Sequence, residues 1–289
     1  MGEPRTDAGL MDHATPRYLH AKESVDERAR SGRVRDRLLA ALPDDPQIVD
    51  LGCGTGVTVS NLRRWGVDRG RYRGIDTAAP IVTHARAVRP EICRQTGATV
   101  SRDASGWTAD GLDCRFRVGE ALASADEQFQ DGADVVVAQA FLDLVDLDDA
   151  LAAVRRALAP SGLLYAPITF DGVTCFQPDH PDDEAVQRAY HAAIDTQPGR
   201  DSRAGRHLLD RLRDRAVLAV DSADWIVRPR DGTYPADERY FLSQILSFVA
   251  DALAESAVDG TDWLTTRRAQ LEAGALTYVA HQYDFLARL

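Results

Sequence analysis

Three glycines and two acids stand where they could hold a ligand. Asp50, Gly52, Gly54 and Gly56 share the run Val49-Asp50-Leu51-Gly52-Cys53-Gly54-Thr55-Gly56, and Asp76 follows 20 positions after the last glycine. Gln47 to Leu51 is an apolar run of strand length, placed after Pro43 and Pro46. A chain that turns here with its backbone against a ligand needs residues that tolerate positive φ and carry no Cβ. A helix opening at Val57, with Leu62 and Trp65 inward, would aim its free N–H groups at that ligand. Tyr72-Arg73-Gly74-Ile75 then delivers Asp76, whose carboxylate suits two ribose hydroxyls.

The spacing separates two cofactor classes. Dinucleotide sites use G-x-G-x-x-G, whereas this chain reads G-x-G-x-G and has Val57 where the third dinucleotide glycine would fall. The form D-x-G-x-G-x-G resembles motif I of the class I S-adenosylmethionine-dependent methyltransferases. That resemblance implies an α/β fold, a doubly wound, seven-stranded, mostly parallel Rossmann-like sheet with a late antiparallel hairpin. It implies S-adenosylmethionine as cofactor and S-adenosylhomocysteine as product. The cofactor residues it implies are Asp50, Gly52, Cys53, Gly54, Gly56, Asp76, Thr77, Glu120, Ala121 and Gln139. Glu120 matches the family's acid near the adenine, and a helix N-terminal acid is the alternative reading.

The elements that must position these residues can be read from periodicity. One domain over 1–289 is expected, with a loose segment at 1–16, an N-terminal helix at 17–42 and a cofactor-binding core at 47–170. Within the core, Ala79 to Val88 reads as a helix broken at Arg89-Pro90, 97–111 as loop holding Trp107, and Cys114 to Val118 as the third strand. Ala133 to Ala140 carries Val135, Val136 and Val137 consecutively and reads as a buried strand. Its carboxyl end puts Gln139, Ala140, Phe141 and Asp143 at the crevice mouth. Leu147 to Leu158 is an amphipathic helix stopped before a fifth strand, Leu163 to Ile168.

Beyond the fifth strand, helical substrate-side elements are expected at 171–215 and 231–275. The first would form a lid or wall, with a helix from Glu184 to Ile194. Leu208 to Leu212 reads as a further helix and Val217 to Val227 as one strand. Helices follow from Pro235 to Leu253 and from Trp263 to Glu272, and a last strand from Leu276 to Leu286. The resemblance covers 47–170 well, and the rest only by order of elements.

Methyl transfer asks mainly for alignment and exclusion of water, so a general base is optional. Asp171 and His281 are the candidates for one, and no catalytic residue is otherwise fixed. Substrate-side candidates are Tyr18, Lys22, Phe141, Phe170, Arg203 and Trp225; the resemblance implies that Tyr18 and Lys22 close the N-terminal helix over the cofactor, and a helix that covers the sheet is the simpler alternative. Arg200, Arg203, Arg206, Arg228 and Arg230 raise the question of an acceptor bearing carboxylate or phosphate, against the reading of solvated arginines.

Absences narrow the acceptor. Gln139-Ala140-Phe141-Leu142 stands where a base-methylating enzyme would show Asn or Asp before Pro-Pro and an aromatic. Cys175, in Thr174-Cys175-Phe176, does not resemble a cytosine-C5 nucleophile. Asp143 and Asp171 alone make a weak metal pair, so no metal is expected. A net charge of −11, from 34 basic and 45 acidic residues, disfavours long nucleic acid. The expectation is methyl transfer to a small molecule. The alternatives are a non-catalytic S-adenosylmethionine-binding protein, an enzyme using a modified S-adenosylmethionine, and an NAD-linked oxidoreductase. The last lacks a Tyr-x-x-x-Lys or zinc set.

With 44% hydrophobic and 27% charged residues over 289 positions, the composition is that of a globular protein. No apolar run approaches the roughly 18 residues that span a bilayer, and no apolar signal region opens the chain, so no membrane association and a cytoplasmic location are expected. Cys53, Cys93, Cys114 and Cys175 show no C-x-x-C spacing and read as free thiols. Phe241, Ile245, Phe248 and Val249 form a helix face that would serve either the core or a homodimer.

Overall fold

The computed structural model of the chain describes residues 15–289. Helices α1 (Pro16–Ala29) and α2 (Gly32–Leu39) precede the alternating core. The core runs through β1 (Gln47–Leu51), α3 (Val57–Arg64), β2 (Arg69–Asp76), α4 (Ala79–Gln95), a hairpin of β3 (Val100–Arg102) and β4 (Trp107–Ala109), and β5 (Gly111–Val118). A single turn, α5 (Ala121–Ser124), leads to β6 (Ala133–Val137), α6 (Leu147–Ala157) and β7 (Leu158–Gln177). The remaining elements are α7 (Asp183–Asp195), α8 (Ala204–Arg211), β8 (Ala216–Ser222), β9 (Trp225–Val227), α9 (Glu238–Ala254), α10 (Thr261–Glu272) and β10 (Thr277–Arg288).

The strands form one sheet in the order β3-β4-β5-β2-β1-β6-β7-β10-β8, with β9 also paired to β10. The five central strands are parallel, and β10 lies antiparallel to both β7 and β8. Alternation along the buried strands explains why helices cover both faces. Ile48, Val135 and Val137 pack against α2, α3 and α4, while Val49, Leu51 and Val136 pack against α6 and α8. A third cluster joins α1, α7, α9 and α10 beyond the carboxyl ends of the strands. Phe241, Ile245, Phe248 and Val249 belong to it, so the helix face that would have served a dimer is spent on packing within the chain.

Seven strands of this sheet are the doubly wound set; β3 and β4 come from a segment that reads as loop, and β9 from the division of one expected strand. The 97–111 loop folds into the β3–β4 hairpin on the sheet edge, held by the Trp107 ring, which is buried. β7 does not stop at Ile168 but continues to Gln177, because β10 supplies a partner as far as the Gln177–Thr277 pair. The segment from Asp171 to Gln177 is therefore strand, and the lid begins after it. The single strand at 217–227 divides into β8 and β9 where the Ala223 N–H donates to the Gln282 carbonyl oxygen at 2.8 Å.

Two helix expectations change as well. The 17–42 helix breaks at Ser31, whose N–H donates to Asp284 Oδ2 at 2.8 Å and whose hydroxyl caps α2 at Val34. The α4 helix runs through Pro90 to Gln95. A proline inside a helix costs about 3 kcal/mol, and here it stands in a stretch whose Arg89, Pro90 and Cys93 are all buried. The loose segment expected at 1–16 falls almost entirely outside the described residues. Among the described residues no helix is long and apolar enough to cross a membrane.

Strand order reverses at β1, which has β2 on one side and β6 on the other. In open parallel sheets the crevice above such a switch point is where ligands enter.

Candidate functional site

The glycine turn lies at that switch point. Gly52, Gly54 and Gly56 all have positive φ, at 62°, 52° and 75°. At Gly52 the lack of a side chain is also a packing requirement, because a Cβ there would lie 2.5 Å from Phe141 Cδ2. The Cys53 N–H donates to the Ile75 carbonyl oxygen at 3.0 Å, which ties the turn to the end of β2. Asp76 closes the tie. Its Oδ2 accepts from the Gly54 N–H at 2.9 Å and its Oδ1 from the Ala78 N–H at 2.9 Å. Each oxygen keeps a further lone pair for a guest.

Asp50 sits beneath the turn and is 1% exposed. Burial pushes its carboxyl up to about 6, against hydrogen bonds from the hydroxyls of Tyr72, at 2.6 Å, and Thr58.

Helix α1 roofs the crevice and is pinned at several points. The Arg89 guanidinium, 1% exposed, donates to Thr55 Oγ1 at 2.9 Å, to the Thr55 carbonyl oxygen and to Glu23. Burial opposes ionisation of Glu23, but His20 and Arg89 outweigh it and hold its carboxyl below the usual range. His20 Nε2 and His84 Nε2 are 2.7 Å apart. Asp26 accepts from Trp225 Nε1 at 2.9 Å and from Gln139 Nε2 at 3.1 Å, and it lies 3.4 Å from Lys22 Nζ. Gln139 in turn accepts from Arg30 at 3.0 Å.

Between roof and turn is a cavity of about 950 Å³. Small-molecule sites span roughly 300–1,000 Å³, so this one has room for a cofactor and an acceptor together. One half is bounded by Asp76, Thr77, Ile81 and Glu120, and the other by Phe170, Tyr190, Trp225, Ile245 and Tyr278. The wall carries six carboxylates, Glu23, Asp26, Asp50, Asp76, Glu120 and Asp143, against the cations Lys22 and Arg200. An acid excess of this kind suits a guest with positive charge, and S-adenosylmethionine brings a sulfonium and an ammonium against one carboxylate. The residues present fit that cofactor.

The structure brings most of the sequence candidates together. Asp50, Gly52, Cys53, Gly54, Asp76, Thr77, Glu120, Ala121 and Gln139 line the cavity, as do Tyr18, Lys22, Phe141, Phe170 and Trp225. Gly56 stands behind the wall, packed against Phe116. Three candidates do not line the cavity. Asp171 and His281 lie outside, because alternation along β7 and β10 turns Ile168, Phe170, Tyr278 and Gln282 inward and their odd-numbered neighbours to the opposite face. Asp171 is held there by Arg206, whose N–H donates at 2.7 Å and whose Nη2 donates at 2.9 Å. His281 Nδ1 pairs with Asp224 Oδ1 at 2.6 Å. Arg203 is exposed at the start of α8.

Of the other arginines, only Arg200 reaches the cavity. Arg228 and Arg230 border a separate recess of about 240 Å³. Asp143 lines the cavity without Asp171 beside it, and among the described residues no group of three or more His, Cys, Asp or Glu converges on a metal position. Sequence reasoning missed Glu23, Asp26, Tyr190, Ile245, Tyr278 and Gln282. Tyr190 had a signal, since Val186, Tyr190 and Ile194 recur at four-residue spacing on the buried face of α7.

No curated protein sequence matches the chain. Among solved structures the fold is similar to a candidate methyltransferase from Bacillus halodurans C-125, at 11% identity over 89% of this chain and 99% of that one, with a TM-score of 0.50. It is similar to a candidate type II methyltransferase from Anaeromyxobacter dehalogenans, at 18% identity over 89% and 94%, also with a TM-score of 0.50. The methyltransferase of Thiobacillus denitrificans solved with S-adenosylhomocysteine gives 19% identity over 95% and 99%, with a TM-score of 0.45. A family model described as a methyltransferase domain matches residues 22–195, which is more than half of the chain. That match takes in the glycine turn, both acids and the strands that carry them, and the chain therefore belongs to the methyltransferase-domain family, as a class I enzyme that uses S-adenosylmethionine.

Proposed function

We propose that the protein transfers a methyl group from S-adenosylmethionine to a small organic acceptor held in the aromatic half of the cavity. The observation that carries this reading is that one cavity joins the glycine turn and its acids Asp50, Asp76 and Glu120 to an aromatic wall of Phe170, Tyr190, Trp225 and Tyr278. Asp76 and Thr77 would hold the ribose, and Ile81, Glu120 and Ala121 the adenine. The turn from Gly52 to Gly54, with Asp50 beneath it and Gln139 beside it, would hold the amino-acid end. Phe141, packed on Gly52, sets the height of the turn.

The bound cofactor supplies an electrophile that is already activated, so the chain's residues act mainly by alignment and by excluding water. Tyr18 and Lys22 bring the roof to bear on the acceptor half. Lys22 Nζ lies 5.3 Å from the Trp225 ring centre, within cation–π range, so it covers the aromatic wall while paired with Asp26. An acceptor bearing carboxylate or phosphate would meet Arg200 and not Arg203.

Calorimetric titration with S-adenosylmethionine, S-adenosylhomocysteine and NAD in parallel tests the reading. Binding of the first two without the third is expected. Binding of NAD alone overturns it. Cofactor binding without formation of S-adenosylhomocysteine from any acceptor would leave a non-catalytic binder.

A further inference from the structure

The loop after α7 is fastened to the turn after β6. The Asp201 N–H donates to the Asp143 carbonyl oxygen at 3.1 Å. Gly199, at φ +77°, approaches the same turn so closely that a Cβ there would lie 3.1 Å from the Asp146 nitrogen. Arg200 stands between these two anchors, so its side chain and that of Asp143 border one end of the cavity.

Both groups keep hydrogen-bonding capacity that the chain does not use. Asp143 Oδ1 is buried and accepts no hydrogen bond. Arg200 makes no side-chain hydrogen bond or ion pair among the described residues. Asp143 feels the charges of Lys22 and Arg200, yet an orphaned carboxylate oxygen and a half-buried guanidinium with no hydrogen bond each cost free energy, and in neighbouring positions they would ordinarily close on one another. The backbone anchors hold them as an open pair. A guest that satisfies both presents an anion to the guanidinium fork and a proton donor to the carboxylate. Its body must suit Phe170, Tyr190 and Trp225, which wall the same half of the cavity.

We propose that Asp143 and Arg200 together select the acceptor, an aromatic acid whose carboxylate pairs with Arg200 and whose nucleophilic O–H or N–H donates to Asp143. This deepens the methyl-transfer reading and rests on it. As the nucleophilic oxygen or nitrogen bonds to the methyl carbon, the carbon–sulfur bond breaks with its electron pair staying on sulfur, and the proton passes to the Asp143 carboxylate. The groups that face this carboxylate are Tyr18 and Lys22 from α1, Tyr190 from α7, and Arg200 and Asp201 from the loop. Burial pushes its carboxyl up to about 6, against a hydrogen bond from its own backbone N–H and the pull of Lys22 and Arg200, which makes it a better proton acceptor than a free carboxylate.

The test titrates the complex with S-adenosylhomocysteine with the hydroxybenzoate and aminobenzoate isomers, their methyl esters and benzoate. At least one acid should bind about tenfold or more tightly than its ester. Arg200→Gln should bring acid and ester within about twofold while leaving S-adenosylhomocysteine affinity unchanged. Asp143→Asn should keep the preference for acid over ester, and lose the advantage of the hydroxyl- or amino-bearing acid over benzoate. Equal binding of acids and esters to the unaltered protein, or no binding of any acid at millimolar concentration, overturns the inference alone. Failure of S-adenosylhomocysteine to bind overturns the methyl-transfer reading and this inference with it.

Discussion

Arg89 and Glu23 form an ion pair that joins the roof of the cavity to its floor. The guanidinium is buried and also holds both oxygens of Thr55 in the glycine turn, so one side chain fixes α1, α4 and the turn together. Replacing it removes this donor from both oxygens of Thr55 and leaves Glu23 with His20 as its partner.

Arg89→Met is therefore expected to destabilise the fold by about 3 kcal/mol, toward the lower end for breaking a buried charge pair because Glu23 can partly rehydrate. Arg89→Lys should not rescue it, since an ammonium cannot span Thr55 and Glu23 at once. Urea unfolding midpoints decide this. Because Glu23 is held below its usual range, its contribution is present at neutral pH and lost as pH falls through its folded pKa.

At Asp50 the sign is opposite. Its carboxyl is raised from 3.8 to about 6 in the fold, so between these values the folded chain holds a proton that the unfolded chain has released. Stability attributable to this group therefore falls as pH rises across that window and is level above it. Asp50→Asn should flatten that part of the profile and stabilise the protein by about 1–3 kcal/mol at pH 7.5, while weakening S-adenosylmethionine binding. Thermal melts from pH 4 to 8, paired with titrations at pH 7.5, measure both effects. A variant destabilised at pH 7.5 would contradict the assignment.

Asp76→Asn keeps the side-chain shape and removes the charge. Loss of charged hydrogen bonds to a ribose should cost about 1.5–3 kcal/mol, or roughly tenfold to hundredfold in affinity for S-adenosylmethionine. Unchanged affinity in calorimetry would mean that the ribose lies elsewhere.

Two glycine substitutions separate strain from collision. Gly66 has φ +88° and nothing within 4 Å of where a Cβ would stand, whereas Gly52 has φ +62° and Phe141 at 2.5 Å. Gly66→Ala should cost only the left-handed conformation, about 1–2 kcal/mol, and leave cofactor affinity intact. Gly52→Ala should cost more and abolish cofactor binding, as read by unfolding and titration of the same samples.

His281→Gln should leave S-adenosylhomocysteine affinity within about twofold, since the ring lies on the face of β10 turned from the cavity. Asp171→Asn should lower stability by about 1–3 kcal/mol through its bonds with Arg206, again with affinity preserved. A large loss of affinity in either variant would restore these residues to the site.

The local parts of this protein are legible in runs of consecutive residues. The glycine spacing, the acid before it and the acid 20 residues beyond require neighbours only along the chain, because turn, strand and helix N-terminus are written in consecutive residues. The central strands were legible for the same reason, as Val135, Val136 and Val137 can only be buried on two faces. What needed a partner distant in sequence was decided by the tertiary structure. Whether residues 171–177 were lid or strand depended on β10, more than 100 residues later. Whether 17–42 was one helix or two depended on Asp284. On strands, side chains one position apart face opposite ways, so the choice between Phe170 and Asp171, or between Gln282 and His281, rested on register and bulges that no local pattern encodes. The same holds for Arg200, which lines the cavity where Arg203 and Arg206 do not, in a loop whose Asp201 hydrogen-bonds across to Asp143.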